Sequence, residues 1–136
     1  MAFVLALAAK RPLSLINGRT IDVAVALSRY NKKEFHHIYP SAYLKRMKAP
    51  GQHNALANIC MLPAAENNEI SDTDPHAYLP ECAAGLSGNA ERVFESNFLP
   101  SPRTFRYASA GFDQFSEARA KLIAPFVQKL CGGERP

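Results

Sequence analysis

The chain has 136 residues, 47% of them hydrophobic, with a formal net charge of +4 and a pI near 9.1. Length and apolar content predict one domain over residues 1–136 with a core of its own, and they exclude a disordered chain. The mild basic excess permits a polyanionic partner without requiring one.

Phe3 to Ala9 is apolar but too short to span a bilayer, and it lacks the basic segment and cleavage site of a signal peptide. It reads as a packed helix over roughly residues 2–10, and no membrane partner is expected. Pro12 closes that segment and Asn17-Gly18 marks a turn. Thr20 is placed to cap a helix running to about Tyr30, with Ile21, Val23, Val25, Ala26 and Leu27 available for burial. Glu34 to Tyr39 reads as a short strand, Ser41 to about Met47 as a short helix, and Pro50-Gly51 as a break. Asn58 to Leu62 is a second strand candidate, and Pro63 suits the first turn of a helix carrying Glu66, Asn67 and Asn68.

Further helices are expected from Asp74-Pro75 to about Ala84 and from Asn89 to Phe98, followed by a loop at Pro100 and Pro102. The last element runs from about Phe112 to Leu130, with Phe115, Ala118, Leu122, Phe126, Val127 and Leu130 as its apolar stripe. Pro125 should kink or divide it, and Gly132-Gly133 ends it. The predicted class is α+β, mainly helical: two short antiparallel strands and a helix make a ββα unit over about residues 34–72, flanked by additional helices. Cys60, Cys82 and Cys131 form no CxxC pair, which argues against a zinc ribbon. They read as buried thiols of a reducing compartment and place the chain in the cytoplasm.

The most specific run is Glu34-Phe-His-His-Ile-Tyr-Pro40. Histidine is both a metal ligand and a general base near neutral pH, so adjacent histidines can divide the two tasks. Neighbours on a regular strand point to opposite faces, so one cleft can hold both only where the strand is distorted or ends; Pro40 makes an ending plausible. Asn67 can offer an amide oxygen to a hard cation, with Glu66 as a competing ligand. Asn58 can tie the intervening loop together through hydrogen bonds to backbone. His53 and His76 stand outside this pattern and read as exposed or structural. Lys32, Lys33, Lys45, Arg46 and Lys48 surround the histidine pair in sequence, either as a solvated face or as contacts to a DNA backbone.

These motifs, with Asn58-Ile-Cys-Met-Leu62, Glu66-Asn-Asn-Glu-Ile-Ser71 and Ile70-Ser-Asp-Thr-Asp-Pro-His-Ala-Tyr-Leu79, resemble the HNH (ββα-metal) endonucleases. The chain is most similar to the C-terminal nuclease domain of GmrSD-type restriction proteins, and the tail around Phe112, Phe115, Arg119 and Ala120 extends the likeness. The resemblance implies His36 and Asn67 as metal ligands, His37 as general base and Asn58 as the structural asparagine. It implies one divalent ion, magnesium by default, with manganese, nickel or zinc also compatible with an imidazole ligand. DNA is the implied substrate, hydrolysed in a restriction or phage-defence setting. Ile70 and Ser71 stand where many HNH proteins place a histidine or lysine. Larger members carry a nucleotide-hydrolysing or recognition region, and no Walker-type motif occurs here, so such a region is expected on another chain or segment. Two other classes compete: a non-catalytic nucleic-acid-binding module of HNH-like fold, and a structural protein-interaction domain.

Overall fold

Short apolar runs separated by proline, glycine and asparagine produce short elements, and the computed structural model describes residues 2–26 and 35–133 of them. In chain order these are α1 (Ala2–Ala9), α2 (Val23–Ala26), β1 (Phe35–His37), α3 (Ser41–Arg46), β2 (Ile59–Met61), α4 (Ala64–Ile70), α5 (Pro75–Gly85), α6 (Ala90–Ser96) and α7 (Phe112–Cys131). The fold is α+β and mainly helical. Its two strands pair antiparallel, with Phe35 opposite Met61, His36 opposite Cys60 and His37 opposite Ile59. A 3-10 turn at Leu56–Asn58 leads into β2, and α4 follows after Leu62 and Pro63. Among the described residues no helix is long and apolar enough to cross a membrane.

The core has two parts. The larger packs Ile38, Tyr39 and Leu44 from the loop and helix after β1 against Leu79 of α5, Phe94 of α6 and Phe115 of α7. Tyr39 stacks at a tilt on Phe115, with ring centroids 4.7 Å apart. The smaller joins Phe3 and Leu7 of α1 to Met61 of β2 and Ile123 of α7. Both parts touch the sheet, so the short strands are held from both sides despite pairing over only three residues.

Several expectations need correction. Asp22, not Thr20, caps α2: its carboxylate accepts from the N–H groups of Ala24 and Val25 at 3.0 and 3.1 Å, while Thr20 bridges Leu13 across a turn. A carboxylate there also favours the positive end of the helix. The remainder of that expected helix, Leu27 to Tyr30, lies outside the described residues, as does Glu34. Pro125 does not divide α7, which continues from Phe112 to Cys131. Pro125 and Lys121, whose carbonyl loses its helical partner there, are both exposed, so water can replace the missing N–H. The buried stripe of α7 is Phe112, Phe115, Arg119 and Ile123, whereas Leu122 is 45% exposed. A charged residue therefore occupies a core position that apolar periodicity could not identify. Of the cysteines, only Cys60 is buried; Cys131 is exposed at the end of α7.

Candidate functional site

β1 ends at His37, and the chain bends at Ile38 and Tyr39 before Pro40. This bend resolves the orientation problem of adjacent histidines. His36 and His37 line one cavity of about 380 Å³, together with Pro40, Ser41 and Ala42 from the start of α3 and Asn67, Asn68, Ser71 and Asp72 from α4 and its end.

The bend is fixed by a dense set of hydrogen bonds. Asn58 is fully buried. Its side-chain oxygen accepts from the Tyr39 N–H at 2.8 Å, and its amide nitrogen donates to the carbonyls of Tyr39 at 3.0 Å and His53 at 2.9 Å. The Ile38 N–H donates to the Asn58 carbonyl at 2.8 Å, and the Tyr78 hydroxyl donates to the Ile38 carbonyl. All backbone polar groups of the two residues after His37 are thus paired, as buried backbone requires. A side chain that matches one N–H and one C=O of the same residue acts as a short substitute for a strand.

His36 is 7% exposed, and its Nε2 has no hydrogen-bond partner. Burial first, and the neighbouring His37 charge second, lower its pKa from 6.5 to about 4; the nearby Asn67 amide partly opposes them. Asn67 thus lies close enough to act on the ring, although no bond of full geometry reaches Nε2. Near pH 7 His36 is a neutral imidazole with its Nε2 left without a protein partner.

His37 is half-buried, and its Nε2 lies 3.0 Å from Asn54 Oδ1. An amide oxygen only accepts, so Nε2 carries the proton and Nδ1 the lone pair in the neutral ring. Asn54 was not singled out in the sequence. Its only signal there is its place in the loop that Asn58 ties down.

Glu66 does not join the cavity. Its carboxylate accepts from the Ser14 hydroxyl and from Asn17 Nδ2, the latter at 2.7 Å. The carboxylate that lines the cavity is Asp72, whose Oδ2 lies 3.9 Å from Arg46 Nη1. Arg46 also lies over the Tyr43 ring, 5.6 Å from its centroid. Lys45, Arg46 and Lys48 are exposed, with Arg46 linked to the cavity through Asp72. Lys32 and Lys33 lie outside the described residues. Three and four residues after Asn67, Ile70 is in the core and Ser71 lines the cavity with φ +47° and ψ −120°. His53 and His76 have structural roles: His53 Nε2 meets the Ala49 carbonyl at 3.0 Å, and His76 joins Tyr43 OH at 3.2 Å to the Ala110 carbonyl at 2.9 Å.

Among the described residues, no three His, Cys, Asp or Glu side chains converge. The cavity also carries His37, Asn68, Ser71 and the Asp72 carboxylate, and the two donors that the resemblance assigns to a metal are one imidazole and one amide, His36 and Asn67. They fit a single divalent ion with most of its coordination positions left to water or phosphate oxygens. The unpartnered, buried Nε2 of His36 is the observation that favours such an ion. Compared with family models, with curated proteins and with solved structures, the chain matches none.

Proposed function

We propose that this chain is a one-metal endonuclease of the HNH (ββα-metal) type that hydrolyses phosphodiester bonds in DNA, acting as the nuclease segment of a GmrSD-like restriction or defence protein. The observation that carries this reading is that His36, His37 and Asn67 line one cavity although the two histidines are strand neighbours. The strand–loop–strand–helix order around it is the arrangement that such a site needs.

His37 takes a proton from water through Nδ1, while its Nε2–H stays on Asn54 and keeps the ring aimed. His36 and Asn67 would hold one divalent ion: magnesium first, with manganese, nickel or zinc compatible with the imidazole. When bound, that ion supplies Lewis-acid stabilisation of charge on the phosphate and the leaving oxygen. Asn58 keeps the bend rigid, so the water, the base and the phosphorus can be brought into line. Lys45, Arg46 and Lys48 would contact the DNA backbone, with Lys32 and Lys33 part of the same proposed surface.

The neutral His36–Asn67 donor set, with the Asp72 carboxylate of the same cavity facing Arg46 at 3.9 Å, favours a second reading: a nucleic-acid-binding module whose metal affinity is too low for catalysis. Nicking of supercoiled plasmid under magnesium, manganese, nickel and EDTA separates the two. Metal-dependent nicking that disappears in His37→Ala is the expected result. DNA binding without nicking under any metal would select the binding module.

A further inference from the structure

The turn preceding α2 carries a second electropositive feature, remote in sequence from the histidines. Leu13 and Thr20 form an isolated antiparallel bridge. The Ser14 N–H donates to the Arg19 carbonyl at 2.8 Å and the Gly18 N–H to the Ser14 carbonyl at 2.9 Å. Gly18 has φ +70°, which strains other residues, and a Cβ there would approach the Leu86 side chain to 3.2 Å, so glycine suits this close seating. The Leu13 N–H donates to Ser96 Oγ at 3.0 Å, and Asn97 Nδ2 donates to the Leu13 carbonyl at 2.8 Å. The turn is therefore fixed to α6. It places Arg19 and Arg92 of α6 on one cavity of about 440 Å³, with Thr20 and Asn89 as further polar walls.

Among the described residues, no carboxylate lines this cavity. The acidic residues nearest in sequence are engaged elsewhere: Asp22 caps α2, and Glu91 accepts from Ser101 Oγ at 2.6 Å and pairs with Arg103 at 3.4 Å. Among the described residues, neither Arg19 nor Arg92 forms an ion pair. Both arginines are exposed on the one concave surface, where an anion would meet two positive charges whose planar forks match phosphate oxygens. The same turn is bound to α4 through Glu66, one residue before Asn67. A single polyanion could thus contact both surfaces of one rigid unit.

We propose that the Arg19–Arg92 cavity is a second phosphate-contacting site, gripping the nucleic-acid backbone away from the scissile bond; this rests on the nucleic-acid reading of the His36–His37–Asn67 cavity. The test is binding of a fluorescently labelled DNA duplex by the full chain in EDTA, over a range of salt concentrations. Wild type is compared with Arg19→Gln/Arg92→Gln and with Arg103→Gln/Lys121→Gln. The latter removes the same charge from residues already paired with Glu91 and Glu117. Loss of two phosphate contacts should flatten the slope of log affinity against log salt by about 1.8 in the first double variant. The second should change it much less, with melting temperatures equal throughout. Equal slopes in the two double variants, or a wild-type chain that does not bind the duplex, would overturn the proposal. Plasmid nicking by wild type and His37→Ala, measured on the same preparations, judges the nuclease reading separately: no nicking with the slope difference intact defeats that reading alone.

Discussion

Arg119 grips the peptide carbonyls on either side of Asn58: one guanidinium nitrogen donates to Ala57 O at 2.8 Å and to Ile59 O at 2.7 Å. The other terminal nitrogen donates to the Asn97 carbonyl at 3.0 Å. Asn58 in turn holds the N–H and C=O of Tyr39, two residues beyond His37. Helix α7 therefore reaches the histidine bend through one side chain and two residues of backbone. Arg119 is fully buried, and its hydrogen-bond partners are carbonyls, not a carboxylate. Burial draws its pKa down to about 10, which still leaves it charged at neutral pH.

Arg119→Met should therefore be destabilising, even though it removes a buried charge. Methionine fills much of the space but leaves three carbonyls without their donors, at about 1–3 kcal/mol for each group that water cannot reach. Relief of the charge's own desolvation offsets part of this. A net loss of about 2 kcal/mol is expected in urea denaturation. A variant as stable as wild type would mean that the three carbonyls find other partners and that Arg119 is not the clamp.

Asn58 offers a sharper comparison, because alanine and aspartate fail differently. Asn58→Ala leaves the Tyr39 N–H and the carbonyls of Tyr39 and His53 unpaired, with an expected loss of about 2–4 kcal/mol. Asn58→Asp keeps the acceptor for Tyr39 N–H but turns the amide donor into an oxygen facing two carbonyls, inside a fully buried site. It should be the less stable of the two at pH 7 by urea denaturation. On the nuclease reading, both should lower nicking by about 100-fold or more, the scale expected when a catalytic group is misplaced by roughly an ångström. Aspartate proving the more stable variant would show that the Nδ2 bonds contribute little.

Much of this arrangement was legible in local sequence. Proline and glycine punctuated the elements, the two strand candidates paired as expected, and the run from His36 to Pro40 placed the bend. The Asn58 bonds to backbone follow from what a buried amide can do in a loop. Other features were not legible because they depend on contacts distant in the chain. Arg119 interrupts an apolar stripe, and nothing local indicates that it meets three carbonyls from two other segments. Glu66 looked available as a ligand until Ser14 and Asn17, roughly fifty residues earlier, engaged it. Asn54 has no distinctive spacing and is defined only by the fold of the loop around it.

The lowered pKa of His36 has a consequence for stability against pH. In the unfolded chain the imidazole titrates near 6.5, and in the folded chain near 4. Between these values the unfolded state binds more protons, so stability rises with pH across this window. The contribution is fully present above 6.5, is lost as pH falls toward 4, and changes no further below. The full span corresponds to about 3 kcal/mol. The measurement is urea denaturation in EDTA from pH 4 to 7.5, for wild type and His36→Gln. The difference between the two should shrink or reverse as the solution is acidified, because glutamine carries no proton to gain. A difference independent of pH would mean that the His36 ring is solvated.

Divalent metal should stabilise the folded chain through the same atoms. His36 lines the cavity that Asn67 also lines, and its Nε2 has no protein partner, so an ion bound there binds the native state alone. Stabilisation then follows mass action, reaching about 2.7 kcal/mol when free metal is 100 times its dissociation constant. With only two neutral protein donors, that constant should be weak, and manganese should act at lower concentration than magnesium. The expected result is a melting temperature that rises with manganese and returns to its starting value on adding EDTA. His36→Ala and Asn67→Ala should each remove the response. Glu66→Gln should retain it, since that carboxylate is committed to Ser14 and Asn17. If Glu66→Gln abolishes the response and Asn67→Ala does not, the ion is held by Glu66, and the assignment of Asn67 as a ligand is wrong.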